Sequence, residues 1–224
     1  MSFWEYLGHH HQRLLTDACL HAVVVAQCMA VATVLGVLIG IAARGSERAG
    51  HLATATAATF LAVPALALIA LLVPVVGPGV APTVIALTLC GLLPIARNTV
   101  VGLRAADPWP ADSARGDGMS RMARLARVEL PRAWPPILSG IRASTQLLLG
   151  VAAIAAYASG PGLGNEIFRG LGSPGSANAL NHVLAGTLGI AALALLFDGT
   201  YVLIGRLTIP RGPGAPAQPE ERRK

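Results

Sequence analysis

ADSARGDGMSRMARLARVELPRAWPP, residues 111–136, is the stretch on which the reading of this chain turns. Between Gly118 and Pro131 runs a segment, 119–130, that contains no helix breaker. Met122, Leu125, Ala126 and Val128 supply an apolar surface, while Arg121, Arg124 and Arg127 recur every three residues on another. That pattern predicts a short amphipathic helix lying against a membrane and ending at the Pro131 break. Taken alone, it fits a helix held by anionic lipid as well as a helix that docks a partner protein.

The flanks on both sides are apolar. The chain is 54% hydrophobic and only 12% charged, whereas a soluble domain carries about 25% charged residues, so lipid must solvate much of it. Residues 18–43 hold no charge over 26 positions, against roughly 20 needed to cross a bilayer. Residues 52–96 are uncharged over 45 positions, enough for two spans. Pro74, Gly77, Pro78, Gly79 and Pro82 mark a turn between them. A further uncharged run, 143–165, is entered from Pro136, and a last one, 183–205, holds the single charge Asp198. The expectation is an all-α polytopic membrane protein of about five helices, at 18–43, 52–73, 80–103, 136–158 and 183–205. An external segment (1–17) precedes them, a long loop (104–133) joins the third and fourth, and a disordered cytoplasmic tail (208–224) follows.

The arginines orient this layout. Arg44 and Arg48 follow the first span; Arg104, Arg115, Arg121, Arg124, Arg127 and Arg132 lie between the third and fourth; Arg206, Arg211, Arg222, Arg223 and Lys224 follow the fifth. The other side holds only Arg13 and Arg169. The arginine-rich side is expected to be cytoplasmic, with the N-terminus outside and the C-terminus inside.

Catalytic chemistry is sparse. The only lysine is Lys224, so the chain has no GxxxxGK[ST] phosphate loop. Cys19, Cys28 and Cys90 fall in apolar runs without metal or disulfide spacing. His9, His10 and His11 read as an exposed polar cluster, and the GPGLG at 160–164 as a turn. No metal, cofactor or nucleic-acid partner is expected; the +6 net charge is a topology signal, with no basic stripe interleaved with aromatics. Aromatics make up only 4% of the chain, with Phe60 and Tyr157 expected deepest in the membrane. Gly36 and Gly40 form a GxxxG that would allow close helix contact. Arg97, Arg142 and Asp198 lie seven or eight residues from inner-side markers, hence roughly 10–12 Å inside the same face. Charges at such depth are usually paired, so Asp198 is expected to pair with Arg97 or Arg142.

The 112–131 segment resembles the EAA loop of ABC importer permeases, whose pattern is Glu-Ala-Ala, three residues, Gly, nine residues and Ile-x-Leu-Pro. Asp112, Ser113 and Ala114 stand at the Glu-Ala-Ala positions, Gly118 is the glycine, and Val128, Glu129, Leu130 and Pro131 close it. PALALIALLVP (64–74), LPIARN (93–98) and GLGNEIFRG (162–170) resemble glycine betaine/choline/carnitine osmoprotectant permeases. The resemblance implies a bacterial inner-membrane permease subunit, not itself an enzyme. It would pair with a second permease subunit, identical or related, and with an external substrate-binding protein. A separate ATPase subunit would hydrolyse ATP, docked on the loop with Met119, Ser120 and Met122 at the tip. Methionine or another amino acid is the alternative cargo. A stand-alone secondary transporter or channel is the rival class; its signature would be an acidic or histidine relay.

Overall fold

The computed structural model describes residues 1–46, 48, 50, 52, 55–56, 63–105, 119–158 and 160–209. Asp112, Ser113, Ala114 and Gly118 lie outside the described residues, as do Phe60, Trp109, positions 53–54 and 57–62 of the predicted 52–73 span, and the tail from 210.

All regular structure among the described residues is helical. Helix α1 runs Phe3–Ala43, 41 residues and about 61 Å at 1.5 Å per residue, about twice the hydrocarbon thickness. The segment 3–17 is therefore a helical extension of the first span. Its start is set by a capping box: Ser2 Oγ accepts from the Glu5 amide at 3.3 Å, and Glu5 Oε2 accepts from the Ser2 amide at 2.9 Å. No proline interrupts it.

Helix α2 (Ala65–Val76) and helix α3 (Val80–Ala105) form a hairpin. Its turn uses Gly77 (φ +86°) and Gly79 (φ +128°), backbone conformations that side chains resist. Helix α4 (Arg121–Arg124) passes through a π-turn, Leu125–Glu129, into helix α5 (Leu130–Ala155) and a closing 3-10 turn, Ala156–Ala158. Helix α6 (Gly164–Leu171) is short, and helix α7 (Ala179–Thr208) is the last. Four helical stretches, Phe3–Ala43, Val80–Ala105, Arg121–Ala158 and Ala179–Thr208, are long and apolar enough to span a bilayer; α2 is a shorter apolar helix.

The break expected at Pro131 does not occur. Pro131 lacks the N–H that would reach back four residues, and its ring would crowd that carbonyl. The π-turn just before it widens the helix, with the Leu130 amide bonding Leu125 O instead. The amphipathic segment and the fourth span are thus one rod, Arg121–Ala158, of 38 residues.

Helix α3 lies at the centre, between α1 and α5, and the approach depends on small residues. A Cβ on Gly36 would stand 2.9 Å from Ile95 Cγ2, and one on Gly40 2.5 Å from Thr99 Cβ. The GxxxG is therefore the α1–α3 seam. On the opposite face, Gly140 packs on Asn98, Gly102 on Pro136 and Ala133, and Ser144 Oγ donates to Gly91 O at 2.8 Å. The apolar core gathers around these seams from Val25, Met29, Leu87, Ile95, Ile137 and Leu148.

Helix α7 is attached differently. Its apolar side chains Leu188, Leu195, Leu196, Leu203 and Leu207 face outward. A ladder of polar contacts ties it to α5. Trp134 Nε1 donates to Thr208 Oγ1 at 2.7 Å, Thr145 Oγ1 meets Tyr201 Oη at 2.9 Å, and Gln146 Nε2 donates to Ala194 O at 3.2 Å. Tyr157 is exposed in the 3-10 turn at the end of α5, 5.4 Å from the Phe168 ring.

Candidate coupling surface and charged clusters

At the arginine-rich end, Ser120 caps α4, its Oγ accepting from the Ala123 amide at 3.3 Å. Met119 and Met122 are exposed, Met122 at 72%, while Leu125 turns into the core. The π-turn presents Glu129 to two arginines: Arg124 Nε donates to Oε1 at 2.8 Å, and Arg44 Nε lies 3.6 Å from Oε2. Glu129 thereby binds the loop-end helix to the C-terminal end of α1. Beside it, Ile41, Ala42, Arg44, Gly45, Arg121, Met122 and Leu125 line a groove of about 320 Å³. Arg104, at the end of α3, donates to Ser46 O at 2.8 Å. The arginine-rich ends of α1, α3 and α4 are therefore joined, with an apolar side chain, Met122, left outside. Leu130 and Pro131 lie at the start of α5, where they join this surface to the span.

Within the membrane, Arg142 of α5 grips Asp198 of α7 through both carboxylate oxygens, Nε–Oδ1 at 2.5 Å and Nη2–Oδ2 at 2.7 Å. Arg97 is exposed on α3 and makes no ion pair among the described residues. The bidentate pair is the central rung of the α5–α7 ladder.

A third cluster, at the opposite end, has no counterpart in the sequence reading. Glu166 of α6 is fully buried, and groups from three helices converge on it. Oε2 accepts from Tyr6 Oη at 2.8 Å and lies 2.7 Å from His182 Nδ1 and 3.3 Å from Arg13 Nη2. Oε1 meets Arg169 Nη1 at 2.6 Å and Arg13 Nε at 2.9 Å. Burial pushes the Glu166 carboxyl up, but hydrogen bonds from His182 and Tyr6 and the charges of Arg13 and Arg169 outweigh it. The carboxyl is held below the usual range. The clue in the sequence was that Arg13 and Arg169 are the two arginines on the arginine-poor side; a shared acid explains both. The turn before α6 packs on α1 at Gly162 (φ +115°), where a Cβ would sit 2.8 Å from His21. His21 is buried, with Nε2 3.2 Å from Leu149 O. The three adjacent histidines bond backbone carbonyls of their own helix, His9 to Glu5 O, His10 to Tyr6 O and His11 to Gly8 O. No cluster of three metal-ligating side chains forms among the described residues.

This architecture has known counterparts. Residues 32–209 match the family described as binding-protein-dependent transport system inner membrane component. The glycine betaine/carnitine/choline transport system permease protein OpuCB of Bacillus subtilis (strain 168) is 31% identical over 81% of this chain and 84% of its own length. The osmoprotectant import permease protein OsmW of Salmonella typhimurium is 33% identical over 86% of this chain and 90% of its own. The carnitine transport permease protein OpuCB of Listeria monocytogenes is 30% identical over 88% of each chain. Among solved structures, an inward-facing MetNI methionine ABC transporter superposes with a TM-score of 0.75 over 88% of this chain and 96% of that one, at 18% identity. At that identity the likeness establishes the fold alone. The apolar helices, the inner-membrane family match and the extent of the likeness converge: the chain belongs to the binding-protein-dependent transport system inner membrane components, the multi-pass permease subunits of bacterial ABC importers.

Proposed function

We propose that this permease carries quaternary ammonium osmoprotectants of the glycine betaine, choline and carnitine type into the cell. The observation that carries the reading is sequence identity of 30–33% to osmoprotectant permeases across most of both chains. Methionine is the lesser reading, because the MetNI likeness is one of fold.

In this reading the N-terminus is outside and the C-terminus cytoplasmic, following the arginine asymmetry. A separate ATPase docks on the inner surface. Asp112, Ser113, Ala114 and Gly118 lead into the docking helix, Met119, Ser120 and Met122 form its tip, and Leu130 and Pro131 join it to α5. The exposure of Met122 beside a groove supports that role. A second permease subunit completes the path, and an external binding protein delivers the solute. The Arg142–Asp198 pair holds α7 to the helix that receives the ATPase stroke. ATP is consumed by the partner chain and none is bound here.

The test is uptake. The chain, expressed with its ATPase and binding protein in cells lacking endogenous osmoprotectant uptake, is expected to restore accumulation of labelled glycine betaine, choline or carnitine. Accumulation of methionine alone would replace the substrate assignment. Transport by the purified chain without ATP would overturn the importer reading.

A further inference from the structure

Beside the Glu166 cluster, between α6 and the start of α7, lies an open cleft of about 500 Å³ lined by Arg169, Gly172, Ser173, Ser176, Ala177, Asn178 and His182. No acidic residue is among them. The cluster behind it is sorted by charge. Its carboxylate, Glu166, is fully buried, whereas its arginines reach the surface, with Arg13 at 39% and Arg169 at 48% side-chain exposure. Asp17, within electrostatic reach of Glu166, lies on α1, partly buried, and does not line the cleft, nor does the exposed Glu5 at the start of α1. Arg13 and Arg169 balance Glu166 and Asp17 in total, and of these charges only Arg169 lines the cleft. Arg169 spends Nη1 on Glu166, leaving its other guanidinium donors toward the cleft. The backbone of the cleft wall is tied into successive turns, with the Ser176 amide bonding Ser173 O and the Ala179 amide bonding Ser176 O. The floor is thus formed before any partner arrives.

We propose that this cleft receives an acidic side chain of the external substrate-binding protein, with Arg169 as its main contact. The inference rests on the reading that puts α6 on the outer side and makes the chain part of a binding-protein-dependent importer. A shallow, open, polar cleft suits a protein surface better than a small solute, which needs a site that encloses it. Exposed charges of one sign chiefly set encounter rate and register between proteins. Because Glu166 pins α1, α6 and α7 together, the cleft keeps its shape while the inner end moves.

The test uses the complete importer, with its ATPase, in nanodiscs, and measures binding of its purified substrate-binding protein. Ser176 lines the cleft, is exposed and has no role in the Glu166 cluster, so charge can be placed there without disturbing the anchor. S176E is expected to weaken binding about two- to fivefold at low salt, and S176R to tighten it by a similar factor. R169Q is expected to flatten the salt dependence, and R169K to restore part of it. Equal affinity of S176E and S176R overturns the proposal while leaving the importer reading intact. An effect that follows the anionic lipid content of the nanodisc and is indifferent to the binding protein also overturns it, assigning the cleft to headgroups. Failure of the wild-type complex to bind the binding protein at all, with α6 shown by an impermeant thiol probe at R169C to be cytoplasmic, overturns the importer topology itself.

Discussion

Replacing Glu166 by glutamine keeps the shape of the buried side chain and removes its charge. The carboxylate takes contacts from four residues on three helices. A glutamine amide offers one carbonyl oxygen to them, and its NH₂ must face donors from Arg169 or Arg13. Two charge-assisted hydrogen bonds are lost, each worth about 1.5–3 kcal/mol where desolvated. The arginines are more than a third exposed and recover part of that by rehydration, leaving a net cost of about 2–3 kcal/mol. The loss falls on the attachment of 3–17, since Tyr6 and Arg13 are its polar ties to the rest. At about 1.4 kcal/mol per tenfold, amide exchange within 3–17 should accelerate by roughly 30- to 150-fold at pH 7 while α3 keeps its protection. The effect must also depend on pH. Glu166 is held below its ordinary pKa in the folded state, so its contribution is complete above the ordinary carboxylate range and is lost as pH falls through the depressed value. E166Q and wild type should therefore converge in acid. Equal exchange at pH 7, or a difference that persists unchanged in strong acid, would refute the account.

Asp198→Arg and Arg142→Asp should each abolish uptake, and the double exchange should recover a substantial fraction; a double variant no better than the worse single would show that the pair does not act as a unit. Gly40→Ala is expected to cost about 1–3 kcal/mol by overpacking the α1–α3 seam against Thr99, read as lower thermal stability in detergent. Gly199→Ala, on α7 with open space around it, should be neutral or slightly stabilising. Deleting Ala126 would convert the π-turn to regular helix, leaving α4 nearly in phase with α5 but placing Pro131 inside an uninterrupted α-helix, which kinks or breaks the rod there. ATPase co-purification or solute-coupled ATPase turnover should fall, while the Arg142–Asp198 end remains folded.

The apolar stretches 18–43, 80–103, 136–158 and 183–205, each falling in a long apolar helix, were legible because lipid imposes a length and an absence of charge, and both are properties of contiguous sequence. The Arg142–Asp198 contact was half legible. Depth along a helix follows from residue counts, so Arg97, Arg142 and Asp198 could be placed at one level. Azimuth does not, and it decides the pairing: Ile95, Ala96, Thr99 and Val100 face the core of the bundle and leave Arg97 outside it, whereas Arg142 falls on the α7 side of α5. The Glu166 cluster was illegible for a related reason. Its partners stand 160, 153 and 16 residues away in sequence, and nothing local predicts that the start of α1 returns to the start of α7.

The Pro131 reading failed more instructively. Proline removes one hydrogen bond and adds one clash, and a regular helix can absorb neither without bending. A π-turn leaves a carbonyl free of its i+4 partner and opens the backbone at the same point. The amphipathic segment and α5 can therefore be continuous. The consequence reaches beyond geometry. A flexible link at Pro131 would let the amphipathic helix tilt without moving the span. A single rod, braced to α1 by Glu129 and Arg44 and to α7 by Arg142 and Asp198, transmits displacement at Met122 to the far end of the bundle. The π-turn then marks where the exposed methionine end and the polar ladder that carries α7 are joined into one rod.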